Sequence, residues 1–434
     1  MNTIEKALES KTFCIYPWIH QYVGPGGEVK PCCIYQPNDS GLGNIKKSSL
    51  KEVWNNDLTK QLRLDMLNGV EIPGCSMCNV RVGVTRVHRD DTNDIWFEQN
   101  KDTVSQTLDD GTLPEHKLKY VDARFNNLCN LKCRTCSPHF STSWHEDYEK
   151  LRNPESVDEY PKTLLIPGNT DSQLLDEIMP HLSEVERIYF AGGEPLMQKE
   201  HYAVLEELIR IKHTGTMNSP TEKPLKLQYS TNFSTLTLGK HNVLDYWNQF
   251  ARVTVNASLD GSYERAEYWR KGTDWKKIVQ NRIDLKKACP RVSFNIGFTL
   301  SWVNAFNLLD LHKEWVEKYY INMNGMQPNV LDYPHMYSLK YIPMWKKKKI
   351  EEAFLKHIEW IEAFNRCGEY VKLQTKERYI NAIKFMYDVD VGFKHSTEFK
   401  STTESLDNLR NENFWEVFPE HADMKEFLYG SNSL

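Results

Sequence analysis

Residues 129–136 read Cys-Asn-Leu-Lys-Cys-Arg-Thr-Cys, which spaces Cys129, Cys133 and Cys136 as Cys-x3-Cys-x2-Cys. Three thiolates on one short loop can wrap one face of a metal centre. A closed structural zinc site takes four tetrahedral ligands, usually as two separated pairs. Three cysteines without a fourth nearby suit a cubane iron–sulfur cluster in which one iron lacks a protein ligand. That open iron can coordinate a cofactor or substrate. Structural cysteines, or a zinc site completed by His139, are the alternative readings of the same stretch. A second stretch, Ala-Gly-Gly-Glu-Pro at 191–195, follows an apolar run. Its two glycines let backbone approach a ligand closely, and its proline fixes the exit of the loop. Standing alone it reads equally as a turn.

Five further cysteines lie upstream: Cys14, Cys32, Cys33, Cys75 and Cys78. Four of them, two distant singles and one Cys-x2-Cys pair, can close a tetrahedral ligand set. Zinc and a fully ligated iron–sulfur cluster both satisfy that geometry, and spacing alone does not choose between them. Eight of the ten cysteines fall between positions 14 and 136, leaving Cys289 and Cys367 as isolated packing residues. Without an N-terminal apolar run of signal-peptide length, such clustering indicates metal ligation in a reducing cytosol rather than a disulfide framework.

The Cys129, Cys133 and Cys136 triplet resembles that of the radical S-adenosylmethionine (SAM) enzymes. The resemblance implies a [4Fe-4S] cluster whose unique iron is chelated by the amino and carboxylate groups of SAM. It implies reductive cleavage of SAM to methionine and a 5′-deoxyadenosyl radical. Thr135 stands where the family often has an aromatic residue. Gly192, Gly193, Glu194 and Pro195 are similar to the family motif whose backbone receives the SAM amino group. The same likeness makes Asn232, Ser258 and Asp260, at strand ends, candidate SAM contacts, although Asn, Ser and Asp also cap loops unaided. Tyr-Trp-Arg-Lys-Gly at 268–272 resembles the family's Arg-x-Gly region, so Arg270, rather than Arg265, is the expected partner of the SAM carboxylate.

The upstream stretch resembles the SPASM/twitch auxiliary-cluster module. The matching pieces are Pro17-Trp18, Gly27 with Val29, Pro31-Cys32-Cys33, Gly43-Asn44-Ile45, Val53-Trp54-Asn55 and Cys75-x2-Cys78. The resemblance implies an auxiliary [4Fe-4S] cluster on Cys14, Cys32, Cys75 and Cys78, with Cys33 as a spare or alternative ligand. The module usually follows the barrel; here it precedes it.

The elements that must position these residues form an α/β pattern. Short apolar strands at 118–125, 185–190, 225–232, 252–258, 292–300 and within 323–331 alternate with helical stretches, as in a parallel sheet. The fold class is α/β, a partial (β/α)6 TIM-like barrel with a small N-terminal cysteine-rich twitch-like domain and a helical C-terminal region. Boundaries are expected at 1–105 for that domain, 106–117 for a linker, 118–335 for the barrel and 336–434 for the helical region. Pro-Gly-Gly at 25–27 marks a hairpin, and Ser49 with Glu52 caps a helix running through Leu67. In the C-terminal region Ile350, Phe354, Ile358 and Ile361 form an apolar stripe, Lys346 to Lys349 read as a solvated start, and Gly368 as a helix C-cap.

A chain of 434 residues with net charge -5 has room for two or three domains and offers no electrostatic case for nucleic-acid binding. No stretch reaches about 18 apolar residues, so a soluble, cytoplasmic protein is expected. The expected function is a radical SAM oxidoreductase. It would abstract a substrate hydrogen and perform a net oxidation, a dehydrogenation or cross-link, on a small molecule or peptide. The auxiliary cluster would accept the electron, and a flavodoxin- or ferredoxin-like protein would be the reductant. The alternatives are a redox-neutral epimerase, which would need a hydrogen donor such as a thiol although none of the cysteines left over, Cys33, Cys289 and Cys367, has a local signature, and a nucleic-acid-modifying enzyme with a structural N-terminal metal. No catalytic acid, base or hydrogen donor is assigned.

Overall fold

The computed structural model describes residues 2–36, 41–76, 78, 88–153, 160, 163–215 and 225–430. Its strands, in chain order, are β1 (His20–Val23), β2 (Glu28–Lys30), β3 (Gly43–Asn44), β4 (Tyr120–Ala123), β5 (Lys132–Cys133), β6 (Arg187–Phe190) and β7 (Lys226–Thr231), then β8 (Thr237–Leu238), β9 (His241–Asn242), β10 (Val253–Ser258), β11 (Arg270–Lys271), β12 (Ser293–Leu300) and β13 (Met326–Val330). All six expected barrel strands form, as β4, β6, β7, β10, β12 and β13. Helices follow them, including Lys199–Arg210, Trp275–Ala288 and Asn307–Glu317. Chain compactness divides the molecule into two units, residues 1–128 with 164–229 and 237–253, and residues 129–163 with 230–236 and 254–434.

In the first unit β1 and β2 form the expected antiparallel hairpin, and β3 adds to β2. β1 also runs parallel to β4, pairing His20 with Tyr120, and β4 and β6, then β6 and β7, continue in parallel register. The N-terminal module therefore belongs to the same compact unit as the first barrel strands, which differs from a boundary at 105. Residues 106–117 are not a free linker either: Asn55 Nδ2 donates to Leu113 O at 2.7 Å and Trp54 Nε1 to Glu115 O at 3.0 Å. The helix expected from Ser49 through Leu67 is two helices, Leu50–Trp54 and Asp57–Leu67. Ser49 and Glu52 form the capping box, but Asn56 recaps the chain by accepting from Thr59 N at 2.9 Å.

In the second unit β10, β12 and β13 pair in parallel. Burial alternates along the barrel strands except in β4, where Val121, Asp122 and Ala123 are all buried. Along β7, β10 and β12 every second side chain is fully buried beneath the helices, and the residues between are half-covered. That period-two pattern gives each of these strands one buried and one half-covered face.

The C-terminal region is helical as expected, with Met344–Ala363, Glu369–Met386, Ser396–Arg410, Phe414–Val417 and Ala422–Tyr429. Three details differ. Lys346 and Lys347 are buried, not solvated: Lys346 Nζ meets Asp423 Oδ1 at 2.8 Å, and Lys347 Nζ donates to Val389 O. His357, rather than Ile358, fills the stripe between Phe354 and Ile361. Gly368 is the N-cap of the following helix, not a C-cap, because the preceding helix has already ended at Phe364. No helix among the described residues is long and apolar enough to cross a membrane.

Candidate metal and cofactor site

The cysteine triplet begins six residues beyond β4, which ends at Ala123. Its middle part is held as a strand: β5 pairs antiparallel with β11, setting Cys133 opposite Arg270. Side chains then pin the loop backbone. Trp144 Nε1 donates to Cys133 O at 2.8 Å and Ser143 Oγ to Cys129 O at 2.8 Å. Two sulfurs receive donors. Cys129 Sγ lies 3.5 Å from Leu131 N and 3.7 Å from Asn232 Nδ2, and Cys133 Sγ lies 3.6 Å from Arg270 Nη1. Burial pushes the Cys136 thiol up to about 12 and raises Cys133 as well, an effect that nearby Arg270 opposes. Thiols so desolvated become thiolates when metal replaces the proton. Three sulfurs on one loop, with N–H donors aimed at two of them, are a donor set that fits an iron–sulfur cluster. Among the described residues no group of three or more His, Cys, Asp and Glu is arranged to hold a single ion.

Of the expected SAM contacts, Asn232, Asp260 and Arg270 gather beside this loop. Arg270 Nη2 is 2.8 Å from Asp260 Oδ2, and Asp260 Oδ1 accepts from Thr299 N at 2.6 Å. Asp260 is buried, so its visible task is to hold Arg270. Asn232 Nδ2 bridges to Asn130 Oδ1 at 2.9 Å. Ser258 ends β10 half-buried, in register with Gly297 of β12.

The glycine turn lies in the first unit, directly after β6. Gly193 N donates to Asn126 O at 3.3 Å and Glu194 N to Leu128 O at 2.7 Å, so the turn is fastened to the chain just ahead of Cys129. Both glycines are required. Gly192 has φ +107°, in the region that disfavours side chains, and a Cβ on Gly193 would stand 2.2 Å from Leu128 O. Glu194 is buried, and its Oε1 caps Leu196 N at 3.1 Å. Beside the turn a cavity of about 540 Å³ is lined by Asn126, Leu128, Met197, Gln198, Leu238 and His241, a volume suited to a small ligand. A wider groove of about 1010 Å³, between Lys51, His116 and His181, contains neither motif.

Sequence reading passed over the inner face next to this turn. Arg124 donates Nε and Nη2 to Asp122 at 2.8 and 3.1 Å, and its guanidinium lies over the Tyr22 ring at 4.9 Å and the Tyr189 ring at 5.9 Å. The signal was present as Tyr-Val-Asp-Ala-Arg at 120–124. Two charges at i and i+2 in an apolar strand share one face.

In the N-terminal module Cys14, Cys32, Cys75 and Cys78 line one small cavity together with Met66 and Arg89, and Cys33 is exposed outside that set. Burial drives Cys14 up to about 12 and Cys75 to about 11; each thiol is raised further by its cysteine neighbours and lowered by Arg89. The four-thiol set expected from the sequence is thus brought together in space.

Residues 14–79 match the model of SPASM, an iron-sulfur cluster-binding domain. The matched residues include Cys14, Cys32, Cys75 and Cys78. The matched stretch precedes the α/β core, in which the cysteine loop follows β4 and the glycine turn follows β6. Solved structures similar to it include native anSMEcpe with bound AdoMet and Cp18Cys peptide, at 21% identity and TM-score 0.36, covering 55% of this chain and 59% of that one. Another is SuiB of Streptococcus suis, at 13% identity and TM-score 0.35, covering 70% of this chain and 62% of that one. The chain thus spans about three-fifths of the length of these structures. None of the curated proteins matches it.

Proposed function

We propose that this protein is a cytoplasmic radical SAM oxidoreductase that performs a net oxidation, a dehydrogenation or a cross-link, on a small molecule or peptide. The observation that carries the reading is the pair of motifs on successive parallel strands, three cysteines after β4 and Gly-Gly-Glu-Pro after β6, joined to a SPASM domain. Cys129, Cys133 and Cys136 would hold a [4Fe-4S] cluster, and Cys14, Cys32, Cys75 and Cys78 a second one. When bound, the first cluster and SAM supply a 5′-deoxyadenosyl radical able to take hydrogen from an unactivated C–H bond. The backbone of residues 192–195 would receive the SAM amino group. Asn232 and Arg270, which approach Cys129 and Cys133, would steady the ligand sulfurs, and Arg270 would pair with the SAM carboxylate. Asp260 would orient Arg270. The inner face at Asp122, Arg124, Tyr22 and Tyr189 would contact substrate through polar and aromatic groups and exclude water from the reacting atoms.

Four cysteines around the auxiliary cavity would, with a cluster bound to all of them, leave substrate no ligand position there, which supports oxidation over a redox-neutral reaction. A flavodoxin- or ferredoxin-like protein would be the reductant. The test is iron, sulfide and zinc per chain after anaerobic reconstitution, in the natural chain and with Cys129, Cys133 and Cys136 all changed to Ala. The natural chain should hold about eight irons and the variant about four. With SAM and dithionite, the natural chain should release 5′-deoxyadenosine and the variant none. Equal iron in both proteins, or zinc in place of iron, would sink the reading.

A further inference from the structure

The helical C-terminal region reaches the cysteine loop through charge. Arg134 sits inside the loop, between Cys133 and Cys136, and its side chain is only 1% exposed. Its Nη2 meets Asp407 Oδ1 at 2.5 Å and Glu412 Oε2 at 2.9 Å, and its guanidinium stacks 3.8 Å from the Tyr268 ring. Tyr268 Oη donates to Asp407 Oδ1 at 2.7 Å, and Phe414 N to Asp407 Oδ2 at 2.7 Å, so the acceptor itself is fixed. Glu412 also takes Lys271 Nζ at 2.9 Å, on the strand paired with the loop. From the other side Arg410 Nε meets Asp147 Oδ2 at 2.8 Å, and Asp147 Oδ1 holds Lys132 Nζ at 2.6 Å, next to Cys133.

Three of these groups come from six successive residues. The helix Ser396–Arg410 ends at Asn411 with φ +52°, in the left-handed region, and Glu412 N turns back to Asp407 O at 2.9 Å. That sharp turn presents Asp407, Arg410 and Glu412 together. Ion pairs buried this far from water add little net stability, because desolvation offsets their attraction, but breaking one leaves an uncompensated charge. Such a network serves best to fix one geometry.

We infer that residues 407–412 are a positioning element for the cluster loop: Asp407 and Glu412 hold Arg134, and through it the spacing of Cys133 and Cys136. The inference rests on the proposed cluster at the three cysteines. It assigns a role to a region that the sequence left without one.

The test compares the reconstituted natural chain with Asp407→Asn plus Glu412→Gln, which keeps shape and removes both negative charges. Iron loss to bathophenanthroline is followed with time, and the spectrum of the reduced protein is recorded by electron paramagnetic resonance with and without SAM. The double variant should lose the iron of the three-cysteine site at least tenfold faster than the natural chain. The change that SAM produces in its spectrum should disappear or broaden. The auxiliary site should keep its iron in both proteins and so report intact folding. Asp407→Glu, which keeps the charge, should return the slow rate. Iron loss and spectrum equal to those of the natural chain would overturn the inference. If the double variant does not fold, Arg134→Lys replaces it. That variant keeps a charge but loses the two-acceptor fork and the stacking, and it too should lose iron faster; unchanged iron loss overturns the inference. A natural chain with no more iron than its triple-Ala variant would overturn the proposed cluster and this inference together. A cluster present but indifferent to all these variants would overturn the inference alone.

Discussion

Gly193 joins two observations that are separate in sequence. Its Cα has no room for a methyl group, since Leu128 O would be 2.2 Å and the Asn127 carbonyl carbon 2.7 Å from it. Both obstacles are backbone, so neither can swing aside as a side chain would. Gly193→Ala must therefore open the turn and lengthen the 2.7 Å bond from Glu194 N to Leu128 O, directly ahead of Cys129. The cost belongs to overpacking, about 1–3 kcal/mol. Urea unfolding should show that loss, and equilibrium dialysis of SAM against the reconstituted variant should show at least tenfold weaker binding. An unchanged urea midpoint would show that the turn is looser than its geometry. Arg270 illustrates the opposite limit of residue-level reading. Its motif singled it out, but that it would be paired with Asp260 and 3.6 Å from Cys133 Sγ is a fact of three-dimensional approach that spacing does not carry.

At the scale of elements, the periodic segments were the legible ones. The six barrel strands announced themselves as short apolar runs, and in β6, β7, β10, β12 and β13 alternating burial follows from the same short-range pattern. The break between Leu50–Trp54 and Asp57–Leu67 was not announced, because apolar spacing continues across it. The competing signal was Asn55-Asn56, residues whose side chains bond local backbone and favour caps over helix interiors. Asn56 does three jobs there: it accepts from Thr59 N at 2.9 Å, gives Nδ2 to Leu42 O at 2.7 Å, and leaves Asn55 free to bind Leu113. Asn56→Ala should thus cost more than a bare cap, about 2 kcal/mol, the upper end of the range for caps. Thermal unfolding of the two proteins side by side measures it, and a shift no larger than that of an exposed surface substitution would show the break to be set by packing alone. Lys346 and Lys347 failed for a related reason: four lysines in a row look solvated, and only Asp423 on a later helix and the Val389 carbonyl show where these two go.

Across the whole molecule, the division into compact units follows neither motif nor composition. β1 joins the parallel register of β4, so the cysteine-rich module and the first barrel strands share one unit, a long-range pairing that no local window contains. The same burial that builds the units sets how the protein responds to acid. His201 and His421 are buried, and burial lowers them to about 3 and about 4, from an ordinary value near 6.5. His116 is likewise held down to about 3, first by burial and then by His181. A histidine depressed in the folded chain is neutral there while its unfolded counterpart takes a proton as pH falls below about 6.5. Between that point and the folded value the unfolded state binds more protons, so each such group removes up to about 1.4 kcal/mol of stability per pH unit of acidification. Carboxylates such as Asp147 and Asp423, lowered by their cationic partners, act in the same direction only further down, as pH falls through the ordinary carboxylate range. Loss of stability should therefore begin between pH 6.5 and 5, before the carboxylates titrate. Urea midpoints followed by tryptophan fluorescence from pH 7.5 to 5 should fall continuously through this window. A flat profile down to pH 5 would mean that these histidines reach water in the native state and that the packing around them is not as tight as their burial implies.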